Sequence, residues 1–439
     1  MITERRRNTE LGLVVLGAII TAAIYTLASL GTTADLPGDI GPFLGVVLAL
    51  LVGAHLATRR LAPAGDGVLL PLAGLLNGLG YVWIARLDEN LAALQATWTA
   101  VGVIAFVATL VVVRRTRDLE RYRYTFMLVG VGLLLMPLLP IVGKTVNGAR
   151  IWVGVGPVSF QPGEFAKIIL AIFFASYLVE KRELLGMAAK RFGPLTLPEL
   201  RHFGPVLLAW AASLVVMTAQ RDLGSSLLFF ALFVVMLWVA TERASYLVVS
   251  GVLFAAGAFA AWSVFSHVQN RISLWFDPWV DVSGQGFQVV QATFALAWGG
   301  VAGTGPGLGT PDRIPLAETD FIFAAIGEEL GLLGAAAVLI TYILMIGTGL
   351  RIALRAQVPF NKLLAAGLTA ILGIQSFIII GGVIRLVPLT GITLPFVSYG
   401  GSSLIANYVL LALLIRISDD NAGIETPGRP VSLSSTGGP

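Results

Sequence analysis

Apolar residues in this chain come in long unbroken blocks, with polar residues gathered in the gaps between them. The blocks run roughly 18–25 residues, the length of helix that crosses the hydrocarbon core of a bilayer. They predict about twelve membrane-spanning helices, at about 11–31, 41–58, 68–86, 95–113, 124–143, 164–180, 203–219, 224–241, 246–266, 322–347, 363–384 and 399–415. The expected fold class is therefore an all-α polytopic membrane protein. The first block follows Arg5-Arg6-Arg7, as the apolar part of a secretory leader would. It is longer than such a region and lacks a clear cleavage site, so it reads as a retained helix.

Composition agrees with the pattern. Of 439 residues, 56% are hydrophobic and only 12% charged, where a soluble domain carries about 25%. The absence of cysteine excludes disulfides, thiol catalysis and Cys-based metal sites. The net charge of +4 is explained by topology. With a cytoplasmic N-terminus, 21 of the 29 Lys and Arg residues fall in cytoplasmic segments. Seven fall outside (Arg86, Lys144, Arg150, Arg221, Arg271, Arg313 and Arg385), and Lys167 lies within a span. Such an excess is the positive-inside pattern of an even number of spans with both termini cytoplasmic. It leaves little support for nucleic-acid binding.

Two outer connections are long. Residues 144–163 are glycine-rich and carry Trp152 and Pro157. Residues 267–321 form a loop far beyond ordinary connection length, and Trp275, Phe276, Trp279, Phe287 and Trp298 make it too aromatic for disorder. It is expected to pack on the membrane surface or re-enter the bilayer, with a short amphipathic helix at 285–298. The Gly-, Pro-, Ser- and Thr-containing tail 418–439 reads as disordered.

Ionisable residues near membrane helices are costly and mark candidate sites. Pro315 to Gly331 places Asp320, Glu328 and Glu329 at or inside the start of a long apolar helix. Asp320 has two readings: a helix cap, or a general base in an outward cleft where partial burial raises its pKa. Glu328 and Glu329 lie deeper, and at least one is expected to be structural. In Gln161-Pro-Gly-Glu-Phe-Ala-Lys167, Glu164 and Lys167 share a helix face. They can simply hold helices together or line a polar cavity. Arg221-Asp222 can be a turn pair. Gly303-Thr-Gly-Pro-Gly-Leu-Gly309 lacks the lysine and the strand–turn–helix setting of a nucleotide loop and reads as a flexible or tightly turned segment beside the site. Pro388 to Ser403, rich in Pro, Gly and small hydroxyl residues, suits irregular backbone lining a cavity, with Ser398 and Ser402 as candidate contacts. Lys167, Arg221 and Arg385 near one cavity suit a polyanion such as phosphate. His55, His202 and His267 are scattered and form no metal motif.

Taken in order, Asn147-Gly-Ala-Arg-Ile-Trp152, Gln161 to Lys167, Trp275-Phe-Asp-Pro278, Thr319-Asp-Phe-Ile-Phe323 with Gly327-Glu-Glu-Leu-Gly331, and Pro388 to Ser403 resemble the SEDS family (shape, elongation, division and sporulation). The resemblance implies a peptidoglycan glycosyltransferase that polymerises lipid II at the outer face of the cytoplasmic membrane. It implies an essential acidic residue, which falls on Asp320, and an inverting transfer that expels undecaprenyl pyrophosphate. It also implies a polar pair at Glu164 and Lys167 and a class B penicillin-binding protein as crosslinking partner. Arg150, Arg221 and Arg385, with Trp152, are candidate substrate contacts on charge and side. A divalent cation (Mg or Mn) on the leaving pyrophosphate is a further expectation, although no protein ligand set for it is readable.

The chain departs from the family pattern at Gly163, where Ser is usual, and at Pro306 in the glycine loop. Two extra helices in residues 1–67 precede the ten-helix core of 68–417, as in actinobacterial members of the elongation branch, which favours elongation over division. Competing readings are a lipid II flippase or other transporter, and a non-catalytic scaffold. A carrier predicts repeat symmetry with helices broken near the midplane, whereas polar residues here gather at one face.

Overall fold

The computed structural model describes residues 2–35, 40–146, 148–155, 158–186, 189–192, 195–198 and 204–424. Its first helices are α1 (Ile2–Thr33), α2 (Ile40–Leu61), α3 (Leu69–Leu87), α4 (Glu89–Val112), α5 (Arg117–Arg121) and α6 (Arg123–Leu135). Then come α7 (Pro162–Gly186), α8 (Gly204–Gln220), α9 (Leu223–Thr241) and α10 (Ala244–Val264). The large loop contains α11 (Ser266–Phe276) and α12 (Phe287–Gly299), and the chain closes with α13 (Ile322–Arg355), α14 (Pro359–Val383) and α15 (Gly401–Ile424). All but α5, α11 and α12 fall on the twelve predicted blocks, and α12 falls on the predicted amphipathic stretch. By length and composition, 9 of the helices among the described residues can cross a membrane. The protein is a helical, polytopic integral membrane protein.

Hydropathy did not reveal the short strands in the connections. Gly143–Val146 (β1), Ala149–Val155 (β2) and Val158–Phe160 (β3) form an antiparallel sheet in which Trp152 lies opposite Lys144. Ala189–Phe192 (β4) and Leu195–Pro198 (β5) form a hairpin. Asn147, Pro157, His202 and residues 425–439 of the expected tail lie outside the described residues. The tail expectation needs correction at its start, because α15 continues to Ile424. There Asp419 accepts from the Ala64 amide (2.7 Å), Asp420 from the Thr116 amide (2.8 Å), and Asn421 donates to the Ile352 carbonyl (3.2 Å). Polar residues that look like a solvated tail are thus partners of the preceding connections.

Helices α3, α14 and α15 are largely buried, whereas α1 and α10 turn most of their surface outward. Buried polar groups pair across the bundle. Asn77 on α3 donates to Thr99 on α4 and to the Tyr408 hydroxyl on α15, both at 3.1 Å. At the end of α1, the buried Arg7 pairs with Glu10 and donates to the carbonyls of Ala62 (2.6 Å) and Gly65 (3.0 Å), while Glu10 meets His55 at 3.0 Å.

The longest helix is interrupted. At about 1.5 Å per residue, α13 would extend about 50 Å, more than a bilayer core requires. It breaks at Gly331, whose φ of 65° and ψ of −166° only glycine adopts readily. The break frees the Glu328 and Glu329 carbonyls, which accept from the amides of Thr304 and Gly305, each at 3.0 Å. The Leu332 and Leu333 amides turn instead to the carbonyls of Gly300 (2.9 Å) and Val301 (3.2 Å). Residues 300–305 therefore give these four backbone groups the partners that the helix no longer supplies. A Cβ at Gly331 would collide with the Gly303 amide and the Val301 carbonyl. Gly331→Ala is expected to cost at least about 2 kcal/mol, read as a lowered thermal midpoint in detergent. Gly347→Ala, in the same helix with nothing within 4 Å, is expected to keep or slightly raise the midpoint.

Candidate active site

Between α14 and α15 the chain leaves helical geometry, yet Thr390, Ile392, Leu394, Phe396, Val397 and Ser398 are buried. Irregular backbone in such a place must find its hydrogen-bond partners in the protein. The Leu389 carbonyl accepts from Arg271 (2.8 Å), Thr393 from the Gln375 amide group (2.8 Å) and Pro395 from the Tyr342 hydroxyl (2.5 Å). Ser398 accepts from the Leu394 amide (2.9 Å) and donates to the Thr319 carbonyl (2.6 Å), and the Tyr399 amide donates to Glu318 (2.8 Å). The segment is thereby tied to the turn that carries Asp320.

Asp320 does not cap α13. The cap position is Phe321, and no side chain there accepts a helix amide. The Asp320 carboxylate instead looks across Gly391. A Cβ at Gly391 would stand 3.5 Å from Asp320 Oδ2 and 3.8 Å from an Arg271 guanidinium nitrogen. The residue has a φ of +75°, a left-handed turn that favours glycine. Asp320 keeps partial solvent contact. Surrounding protein nevertheless lifts its pKa to about 6, chiefly by burial, against the pull of Arg271 and a Thr319 hydrogen bond and with a push from Glu318. Asp222 caps α9 through the Ser225 amide at 3.0 Å. Burial raises its pKa too, opposed by Ser225 and then Arg271. Arg271 is thus the cation between two carboxylates.

A second pair lies on the same segment. Buried Lys167 on α7 contacts Glu164 at 2.9 Å and the Gln375 side-chain oxygen at 2.7 Å, and Gln375 holds the Thr393 carbonyl. A narrow cleft is lined by Gln161, Glu164, Asp222, Gly391 and Thr393. The pair therefore joins α7 to α14 through Gln375, and its Glu164 lines the cleft.

The other expected residues have different surroundings. Ser402 accepts from the Gln161 amide at 3.0 Å and staples α7 to α15, while Ser398 braces the Asp320 turn. Arg385 donates to the carbonyls of Trp275 and Phe276 (3.2 Å each) and its own carbonyl accepts from the Trp275 indole (2.9 Å). Arg150 donates to the Leu139 carbonyl at 3.3 Å. Arg221, exposed in a left-handed turn, adjoins Asp222, and Trp152 lies in β2. Glu328 and Glu329 are structural. Glu328 accepts from the Thr310 amide (2.8 Å), and Glu329 accepts from Gly307 (3.1 Å) and pairs with Arg86 (3.5 Å). The glycine loop wraps protein carboxylates, as a tight turn. Arg271 and Gln375 were missed as site residues, because nothing local marks a basic or amide residue whose partners are distant in sequence. Among the described residues, no group of at least 3 His, Cys, Asp or Glu is gathered to hold a metal ion.

Three comparisons bear on this arrangement. Residues 81–423 match the family model described as cell cycle protein, which covers FtsW, RodA and SpoVE. The chain is 47% identical over 424 residues to peptidoglycan glycosyltransferase RodA of Mycobacterium tuberculosis, covering 94% of this chain and 90% of the relative. It is 32% identical over 374 residues to stage V sporulation protein E of Bacillus subtilis, covering 83% of this chain and 99% of that protein. Among solved structures, a chain of a peptidoglycan synthase complex superposes with a TM-score of 0.66 at 26% identity, covering 82% of this chain and 98% of that one. Thermus thermophilus rod shape determining protein RodA superposes with a TM-score of 0.58 at 25% identity and the same coverage. With its irregular segment, its charged cleft and a family match spanning most of its length, the chain belongs to the FtsW/RodA/SpoVE family of cell cycle proteins.

Proposed function

We propose that this protein is an elongation-type peptidoglycan glycosyltransferase that polymerises lipid II, with Asp320 as its general base. The observation that carries the reading is a carboxylate with its pKa pushed up to about 6, standing with Arg271 beside Gly391, a residue that lines the polar cleft. A base with that pKa is ionised at neutral pH and still basic enough to help a sugar hydroxyl lose its proton. In this scheme Asp320 takes the proton from the acceptor hydroxyl as its oxygen attacks the donor anomeric carbon. The bond to the lipid pyrophosphate breaks on the opposite face, so an α-linked donor yields a β-linked glycan. Arg271, beside Gly391, and Lys167, paired with Glu164, are the cations next to residues that line the cleft. Arg150 and Arg385 hold backbone carbonyls in this conformation, and Arg221 is free to meet a substrate phosphate. No group of at least 3 His, Cys, Asp or Glu is gathered among the described residues, so a Mg or Mn ion would arrive on the pyrophosphate.

Resemblance to the mycobacterial RodA proteins supports elongation over division. The positive-inside pattern supports cytoplasmic termini and an outward cleft. The synthase-complex relative supports a class B penicillin-binding protein as partner. Transport gains no support from the kink in α13, because residues 300–305 fill it with backbone where a carrier would leave a substrate cavity.

With purified lipid II and the partner present, wild type is expected to form glycan chains and Asp320→Asn to form none; equal polymer from both would remove Asp320 from the mechanism. The same variant is expected to be more stable. The folded protein holds the Asp320 proton more tightly than the unfolded chain, so its ionisation costs stability. The cost is absent well below the model-peptide value of 3.8, grows as pH rises to about 6 and is constant above. Asparagine removes it, and the thermal midpoint at about pH 7.5 should rise, by at most about 3 kcal/mol in stability.

A further inference from the structure

The two N-terminal helices lie outside the residues 81–423 that match the family model, yet α1 reaches the segment beside the site. At its far end Gly31 lies so close to Pro306 that a Cβ there would strike the Pro306 carbonyl oxygen. One turn earlier the Ala28 carbonyl occupies the position that a Cβ on Gly307 would take. On its other side Gly307 donates to Glu329 at 3.1 Å. Helix α3 supports the same loop, with Arg86 donating to the Gly309 carbonyl at 3.1 Å. Between the two ends α1 touches α3 where Thr21 fills the space over Gly78. At its near end Arg7 is bound to the carbonyls of residues 62, 63 and 65. A helix anchored at one end and pressed backbone to backbone at the other is a rigid strut.

We propose that α1 is a positioning element for the transfer reaction: through Ala28 and Gly31 it holds the glycine loop 303–309 on Glu329, and so fixes the start of α13 and the turn that presents Asp320. The inference rests on Asp320 being the base. Three connections transmit the constraint. The loop is hydrogen-bonded to Glu328 and Glu329, these residues lie in the first turns of α13, and Asp320 adjoins Phe321, the cap of that helix. Neither Ala28 nor Gly31 borders the cleft, so the strut acts on the placement of the base and leaves substrate contacts alone. Misplacing a reacting group by about 1 Å can lower a rate by about a hundredfold.

Gly31→Ala tests this in the full chain with its partner and lipid II. Alanine is the better helix former, so the change favours α1 itself and acts by pushing on Pro306 and Gly307. We expect kcat per folded molecule to fall roughly five- to fifty-fold with KM for lipid II unchanged. Gly12→Ala, with nothing within 4 Å, should match wild type. Because the chain has no cysteine, a spin label on Leu308→Cys reports the loop directly and should loosen with Gly31→Ala and not with Gly12→Ala. Pro306→Ala, which adds no atom, should loosen the loop and lower kcat in the same direction even if Gly31→Ala fails to fold. Wild-type kcat with a loosened label would overturn the strut, as would activity lost only in proportion to folded protein. Activity retained by Asp320→Asn would instead overturn the reading of the base, so the two failures are distinct.

Discussion

A backbone amide or carbonyl inside an apolar helix bundle needs a partner, and the structure is organised around the two places where the helical pattern is abandoned. One is the segment between α14 and α15; the other is the break in α13 at Gly331. Each unsatisfied backbone group there would cost more than an ordinary hydrogen bond contributes. Partners are therefore recruited from distant parts of the chain: Arg271, Tyr342 and Gln375 for the first, and residues 300–305 for the second. The site arises at the first of these repairs. Arg271 secures the Leu389 carbonyl and faces Asp320; Gln375 secures Thr393 and holds Lys167.

Much of this was legible in the sequence, and the limits are physical. Blocks of apolar residues announce membrane helices because the bilayer sets their length, so all twelve blocks have helices. The strands of three to seven residues at 143–160 have too few positions to display a period. The kink at Gly331 is hidden because a single glycine in an apolar helix is commonplace, and only the incoming 300–305 backbone makes it a break. The expected tail was misjudged at Asp419 and Asp420 because acidic residues at a chain end resemble solvated ones until their partners, Ala64 and Thr116, are known.

The site follows the same division. Asp320, Glu164 and Lys167 stand out because charge is rare beside apolar helices. Arg271 carries no such signal among the exposed and half-buried residues of the long loop, although it tempers both Asp320 and Asp222. Arg385 was chosen for its charge and side, and in this conformation its guanidinium is spent on the end of α11. A sequence shows which groups are present; whether a cation faces a ligand or a carbonyl depends on backbone geometry.

The central claim is that burial and Arg271 together set Asp320 as the base. Its most direct test is the pH dependence of kcat/KM for polymerisation by wild type and Arg271→Gln. Loss of activity towards acid should follow protonation of Asp320, with a midpoint near 6 in wild type. It should move to higher pH in the variant, because removing the cation leaves burial opposed only by the Thr319 hydrogen bond. An acid limb near 4, or one that Arg271→Gln leaves in place, would contradict the account.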